Sequence, residues 1–166
     1  MNYTDNLAKE AQKRSRYLYA ALGIFYNMKE EDASPKDGEV LEVANVLETE
    51  FTEAMNSDFN TPLALTKLVQ TINTLRDFAG ANETVGKKAK EDVMKKVLEF
   101  SRILGLFEGE RYKETIAGDA KELIAKRDAL RRGKKFEEAD KIRKELEDKH
   151  GIMVEDTEYG PAWYRR

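Results

Sequence analysis

Apolar residues recur at intervals of three or four along most of this 166-residue chain, and no other feature constrains the fold as strongly. This spacing places apolar side chains along one face of an α-helix. The chain is 37% charged and 40% hydrophobic, which suits helices with one buried face and one solvated face. Its 3 prolines leave long stretches uninterrupted, so the sequence predicts a mainly α-helical fold.

Residues 1–105 predict four amphipathic helices. The first begins at Thr4 or Asp5, and its predicted inner face holds Leu7, Ala11, Leu18, Leu22 and Phe25. A loop over 30–38 precedes the second helix, which fits 39–56 and buries Val40, Val43, Leu47, Phe51 and Ala54. Because short loops join amphipathic helices of this kind, we expect an antiparallel four-helix bundle.

The third helix has Thr61 as its N-cap and Pro62 at its first position, where the missing N–H of proline costs nothing. It extends to about residue 79, and its predicted buried stripe is Leu65, Leu68, Val69, Ile72, Leu75 and Ala79. After a loop over 80–86, the fourth helix fits 87–104 and ends at Gly105. Its predicted buried residues are Val93, Val97, Phe100, Ile103 and Leu104.

Residues 106–117 are predicted to be a linker, and 118–166 a second, smaller unit. Helices fit 120–132 and 134–149, with Gly133 and Gly151 at their ends. A strand over 152–154, a turn and a return strand over 162–165 complete an α-α-β-β unit. Trp163 in this ribbon is either a plug that joins the ribbon to the helices or an exposed stacking platform; we favour the plug.

The composition argues against an enzyme. The chain has no cysteine and a single histidine, His150, so neither a nucleophile–histidine pair nor a metal site is expected. No glycine-rich phosphate loop is present. The N-terminal residues lack the apolar core of a signal peptide, and no apolar run approaches the ~20 residues that span a bilayer. We therefore expect a soluble cytoplasmic protein without a cofactor.

A basic run over 126–136 is the strongest local signal of a binding function. It contains Lys126, Arg127, Arg131, Arg132, Lys134 and Lys135, with only Asp128 opposing them. Residues 111–166 as a whole carry 15 Lys and Arg against 13 Asp and Glu, although the chain has a net charge of −3. This run is either an ordinary basic turn or a surface that contacts phosphates. Phe136, which follows it, is either a core residue or a base-stacking residue.

Two segments resemble the cysteinyl-tRNA synthetases. "MNSDFNTPLAL" (55–65) is similar to a signature of their helical-bundle domain. "LIAKRDALRRGKKFEEADKIRKELEDKHGIMVEDTEYGPAWYRR" (123–166) is similar to their C-terminal end. The order and separation of the segments also match, so the resemblance covers nearly the whole chain. The motifs of the catalytic domain are absent, and the resemblance thus implies a C-terminal portion without catalysis.

The resemblance also implies site residues. The family's anticodon contacts fall on Arg131, Phe136, Asp140 and Asp156. Arginine can donate to the O6/N7 edge of guanine, and a carboxylate can accept from the amino group of a base. Phe136 stands where the family often has tryptophan, so it keeps a stacking face but lacks the indole N–H. Further candidate contacts with the tRNA backbone are Lys126, Arg127, Arg132, Lys134, Lys135, Arg165 and Arg166.

The leading hypothesis is accordingly a module that binds tRNA-Cys and reads its GCA anticodon. ATP and zinc, which the family uses, would belong to a catalytic domain that this chain lacks. The alternative is a helical interaction module that docks onto a separate catalytic polypeptide, with RNA contacts secondary.

Overall fold

The computed structural model describes residues 5–116, 118–157 and 160–165. Within them the chain forms six α-helices and four strands: α1 Asp5–Tyr26, β1 Lys29–Glu31, α2 Asp37–Asn56, α3 Thr61–Ala81, β2 Thr84–Gly86, α4 Lys87–Ile103, α5 Gly118–Arg132, α6 Phe136–His150, β3 Ile152–Thr157 and β4 Gly160–Arg165. The predicted mainly helical fold with a C-terminal antiparallel ribbon is confirmed. Among the described helices, none is both long and apolar enough to cross a membrane.

Two compact units divide the chain. One spans Ala21–Glu114, and the other combines the chain up to Ala20 with Thr115–Arg166. The predicted division placed all of 1–105 in one bundle, so it differs from these units in the first part of α1. We call the two units the helical unit and the C-terminal unit.

Charged and aromatic side chains explain why the first part of α1 belongs to the C-terminal unit. Arg16 Nη1 donates to Oε1 of Glu155 in β3 at 3.1 Å. The Arg16 guanidinium also lies 4.0 Å from the ring centroid of Tyr164 in β4, and the Tyr164 hydroxyl donates to Glu155 at 3.1 Å. The spacing of apolar residues carries no information on such contacts.

The core of the helical unit largely follows the predicted apolar spacing. Its fully buried residues include Leu22, Phe25, Val40, Leu47, Phe51, Leu68, Ile72, Leu75, Val93 and Val97. The predicted burial is wrong at four positions, because Leu65 and Ile103 in this unit, and Leu7 and Ala11 in the first part of α1, are exposed. The buried face of α1 begins only at Tyr17, and α3 buries Ala64 in place of Leu65. Helical spacing identifies a face but does not show how far along it a partner extends.

A two-stranded parallel pair in the helical unit was not predicted. β1 pairs with β2 in the register Lys29↔Thr84 and Glu31↔Gly86, in segments predicted to be loops. Val85 is fully buried there, while β1 is exposed along its length. Three-residue strands are too short to show an alternating apolar pattern, so the sequence gives no strand signal.

Asp37 connects the first turn of α2 to the end of β2. Its Oδ2 accepts a hydrogen bond from the Ser34 N–H at 2.9 Å, and its Oδ1 accepts one from the Gly86 N–H at 2.8 Å. A Cβ built on Gly86 would overlap the Asp37 carboxylate. Only glycine at position 86 therefore leaves room for both hydrogen bonds.

The start of α3 differs by one residue from the predicted start. Asn60, not Thr61, is the N-cap, and its side-chain oxygen accepts from the Leu63 N–H at 3.1 Å. Asparagine and threonine are both good caps, so the sequence leaves this choice open. The two preceding residues, Asp58 and Phe59, have φ angles of 58° and 53°, a left-handed conformation that non-glycine residues rarely adopt.

Part of the predicted linker over 106–117 packs within the helical unit. Phe107 and Tyr112 are buried, and Arg111–Lys113 form a turn of 3₁₀ helix. The Tyr112 ring meets the Tyr26 ring edge to face at a centroid distance of 5.4 Å. These aromatic side chains keep the segment ordered although its composition is that of a loop.

The C-terminal unit has its own small core. Buried Ala120, Ile142, Leu146, Ile152 and Val154 form its centre, and Trp163 packs against them. The prediction that Trp163 joins the ribbon to the helices is confirmed. Both strands of the ribbon are longer than predicted, and the register pairs Val154 with Trp163 and Asp156 with Pro161.

We predict that Gly86→Ala lowers the free energy of unfolding by about 1–3 kcal/mol, because the new methyl group displaces Asp37 from two backbone N–H groups. Gly80→Ala is the matched control, since Gly80 lies in α3 with open space around it. It should instead stabilise the protein by about 0.5–1 kcal/mol. Urea denaturation of both variants checks this, and equal effects would contradict the role of Asp37.

Candidate nucleic-acid interface

The corner between α5 and α6 closes with a Schellman motif. The Lys134 N–H donates to Arg131 O and the Lys135 N–H to Leu130 O, each at 2.9 Å. Gly133 follows the last residue of α5, as predicted, but the left-handed residue of the motif is Lys134, with a φ of 58°. Lysine in this conformation costs roughly 1–2 kcal/mol relative to glycine. The corner therefore presents a lysine where backbone geometry favours glycine.

Arg127 is not a surface cation. Its side chain is 1% exposed and is the largest of the fully buried side chains. Its Nη2 donates to Asp156 Oδ2 at 2.7 Å, and its Nη1 donates to Asp128 Oδ1 at 3.1 Å. The expectation that Arg127 contacts an RNA phosphate is therefore corrected, because its guanidinium is occupied inside the protein.

Helical spacing within α5 explains the burial of Arg127. Four apolar residues of α5 lie three, four or seven positions from Arg127 and belong to the core or pack against it: Ala120, Leu123, Ile124 and Leu130. Arg127 thus occupies the central position of the inner face. Grouping all the cations of the basic run as one exposed patch overlooked this signal.

Asp156 reaches Arg127 because of the strand register. Side chains alternate along β3, so Asp156 shares the face of Ile152 and Val154, which both belong to the core. Asp156 remains 42% exposed, and its Oδ2 also accepts from Arg131 Nη2 at 3.1 Å. One carboxylate oxygen therefore receives two guanidinium groups, one buried and one at the surface.

The charges around Asp156 shift its protonation. Burial alone would raise the pKa of Asp156, but the hydrogen bond and charge of Arg127, with the charges of Arg131 and Arg143, hold that pKa below its ordinary value. Burial raises the pKa of Asp128, although Arg127 opposes that shift. Asp156 is accordingly the more firmly ionised partner of Arg127.

The structure joins three of the four predicted anticodon-binding residues, Phe136, Arg131 and Asp156, in a chain of contacts. The Arg131 guanidinium lies 5.5 Å from the ring centroid of Phe136, which is 52% exposed, and it also pairs with Asp156. Asp140 pairs with Arg143 at 3.5 Å, and the charge of Arg143 acts on Asp156. Arg143 was missed from the sequence, although its spacing of three from Asp140 on α6 favours an ion pair.

The remaining predicted phosphate contacts are surface residues where the structure describes them. Lys126, Arg132, Lys134 and Lys135 are exposed, and Lys135 pairs with Glu138 at 3.5 Å. Arg165 donates to the backbone oxygen of Thr115 at 3.2 Å. Arg166 lies outside the described residues.

Anions and cations alternate on this surface, so it is not a simple phosphate cradle. It offers an accessible aromatic ring at Phe136, guanidinium donors at Arg131 and Arg143, and carboxylate acceptors at Asp140 and Asp156. This combination suits stacking on a base together with hydrogen bonds to its edge. Within the described part of the chain, no group of three or more His, Cys, Asp or Glu side chains is placed to hold a metal ion.

Comparison with known proteins first defines the class: residues 50–108 match the family model of the DALR domain. The chain is also 34% identical over 99% of its length to a cysteine–tRNA ligase of Thermococcus onnurineus, of which it spans 36%. It is 30% identical over 99% of its length to the ligase of Lactobacillus gasseri, of which it spans 34%. The chain is thus similar to cysteine–tRNA ligases over nearly all of its length and spans about a third of theirs, which confirms the predicted resemblance.

The DALR match and the candidate interface occupy different parts of the chain. The match ends at residue 108, in the helical unit, before α5 begins. The similarity to the ligases, by contrast, runs through 99% of the chain and so includes the corner between α5 and α6.

We predict that Asp156→Asn lowers the free energy of unfolding by about 1–3 kcal/mol at neutral pH, because it leaves Arg127 with one charged partner. The lowered pKa of Asp156 means that its contribution is present above the ordinary value of 3.8 and is lost as the pH falls through the folded-state pKa. The difference between wild type and variant should therefore shrink in acid. Thermal unfolding of both proteins across this range measures it, and a constant difference would contradict the charged pair.

Proposed function

We propose that this chain is the tRNA-recognition part of a cysteine–tRNA ligase, located in the cytoplasm, which binds tRNA-Cys and reads its GCA anticodon without performing catalysis itself. The observation that carries the proposal is the contact chain from Phe136 through Arg131 to Asp156, beside the pair of Asp140 with Arg143. Similarity to cysteine–tRNA ligases over the same residues supports it. ATP and zinc would act in a separate catalytic domain, the second proposed partner of this chain.

The geometry suits unpaired bases. Phe136 has half of its surface exposed at the beginning of α6, where an unstacked base can lie on its ring. Asp140 and Asp156 can accept from the exocyclic amino groups of bases, and Arg131 can donate to a guanine. A surface that carried only cations would hold RNA without distinguishing its sequence.

In the free protein the proposed readers are already paired with protein groups. Arg131 binds Asp156 at 3.1 Å, and Asp140 binds Arg143 at 3.5 Å. Both pairs are partly exposed, so each contributes little to stability and exchanges readily for a nucleotide contact. A non-cognate base would break the Arg131–Asp156 or Asp140–Arg143 pair without replacing its hydrogen bonds. The resulting loss of binding free energy favours the cognate sequence.

A second candidate function, docking onto a catalytic polypeptide, is favoured by one observation in the helical unit. Phe59 is 77% exposed, and both it and Asp58 adopt the left-handed conformation. The left-handed conformation costs of order 1–3 kcal/mol at each of the two residues, and the Phe59 ring is a large apolar group exposed to solvent. Contact with another polypeptide would bury that ring. The two functions are compatible, since they use different residues.

We predict that Asp140→Asn weakens binding of a hairpin with the tRNA-Cys anticodon loop by about 1–3 kcal/mol, or roughly 5- to 150-fold. Removing a negative charge from any surface favours nonspecific RNA binding, so a loss of affinity is diagnostic of base contact. Asp148→Asn, an exposed position on the same helix, is the matched control and should not weaken binding. Fluorescence anisotropy at fixed salt, with GCA and substituted loops, measures both effects.

Equal affinity of the wild-type protein for the GCA loop and the substituted loops would refute anticodon reading. A loss of affinity that Asp140→Asn and Asp148→Asn share would show that only the overall charge matters.

For the docking function, we predict that Phe59→Ser abolishes association with a separately expressed catalytic portion of a cysteine–tRNA ligase. The serine removes the exposed ring and leaves the buried core unchanged. Ile103→Ser, which is also in the helical unit and 57% exposed in the wild type, is the control and should keep the association. Analytical ultracentrifugation at micromolar concentrations tests this. If the wild type does not associate at all, docking is not a function of this surface.

A further inference from the structure

Arg127 is an unexpected choice for the inner face of α5. A buried guanidinium pays a large desolvation penalty that paired carboxylates offset only in part, and an apolar residue of similar volume would often be at least as stable. The pairing is also incomplete, because the buried Arg127 Nε has no hydrogen-bond partner among the described residues. Stability of the core alone does not explain this side chain.

The two guanidinium groups on Asp156 differ in their surroundings. Arg127 is 1% exposed and reaches Asp156 Oδ2 at 2.7 Å, whereas Arg131 is 33% exposed and reaches the same oxygen at 3.1 Å. Breaking a buried pair strands a charge in a medium of low dielectric, while breaking a surface pair exposes both groups to water. Arg131 is therefore the partner that can leave.

Asp128 is the second carboxylate that holds Arg127 in place. Its carboxylate accepts from Arg127 Nη1 at 3.1 Å and is 22% exposed, so Arg127 is held from the other side. When Arg131 moves, Arg127 stays fixed between Asp128 and Asp156, and the Asp156 carboxylate keeps both its place and a charged partner. Without Arg127, the departure of Arg131 would release the Asp156 side chain.

We propose that Arg127 is a positioning residue for RNA recognition: it holds the Asp156 carboxylate at the surface while Arg131 exchanges its contact with Asp156 for a contact with a nucleotide. The proposal rests on the proposed function, since it assumes that Asp156 and Arg131 meet RNA. It assigns Arg127 no contact with RNA of its own.

The test compares Arg127→Lys with Arg102→Lys, the same substitution at an exposed position of α4. Lysine keeps the charge, but its single ammonium cannot bridge two carboxylates as a guanidinium does. We expect Arg127→Lys to lower the preference for a GCA anticodon hairpin over a substituted hairpin by about tenfold or more. Arg102→Lys leaves Arg127, Asp128 and Asp156 unchanged and should keep the preference. If Arg127 had a purely structural role, Arg127→Lys would lower the melting temperature and weaken the binding of both RNAs equally.

A second measurement uses the wild-type protein and so does not depend on the folding of a variant. Nitrogen-15 NMR of the arginine side chains is recorded while the GCA hairpin is added. We expect the guanidinium signals of Arg131 to shift and those of Arg127 to stay in place. A shift of Arg127 as large as that of Arg131, or full preference retained by a folded Arg127→Lys protein, would overturn the positioning role.

The experiment separates this inference from the function on which it rests. If the wild type prefers the GCA hairpin and folded Arg127→Lys does so equally, the positioning role fails and the proposed function stands. If the wild type shows no preference, the proposed function fails and takes the positioning role with it.

Discussion

The guanidinium of Arg127 lies between two carboxylates in the C-terminal unit, where a charge is stable only if it is paired. This contact joins α5 to β3, and β3 carries Asp156 from the core to the surface. On the other face of the ribbon, Arg16 binds Glu155 and lies over Tyr164. The ribbon is therefore held on both faces, which matters because an isolated two-stranded ribbon is marginally stable in water.

The sequence predicts the helices well because their inner faces follow a strict physical period. Leu47, Leu68 and Val97 are buried where the spacing places them, and Gly105 and Gly151 end helices in the left-handed conformation. What the spacing could not predict are features made by single contacts. The parallel pair of β1 with β2 depends on Val85 and on Asp37, and Asp37 is far in sequence from its hydrogen-bond partner Gly86. The choice of Asn60 over Thr61 as a cap depends on one hydrogen bond.

In the candidate interface, too, some residues could be predicted from the sequence and others depend on single contacts. Of the four residues that the resemblance implies, Arg131 contacts Phe136 and Asp156, whereas Asp140 pairs with Arg143. Reading the basic run as one exposed patch failed at Arg127, because charge composition does not distinguish the inner face of a helix from its outer face. Arg143 was missed because its spacing of three from Asp140 predicts an ion pair but does not show that its charge also acts on Asp156. Asp156 illustrates the reverse, since a search for cations alone would have discarded it.

The parallel pairing of β1 with β2 has a kinetic consequence. It joins Lys29 to Thr84, and all of α2 and α3 lies between the two paired strands in sequence. Closing such a loop costs chain entropy that three residue pairs alone cannot offset, whereas the α2–α3 hairpin forms from residues close in sequence. We therefore expect the strand pair to form late in the folding of the helical unit and to open early when that unit loosens. The amide of the buried Val85 would then exchange with solvent through this opening, which makes it a local reporter of whether the helical unit is fully assembled.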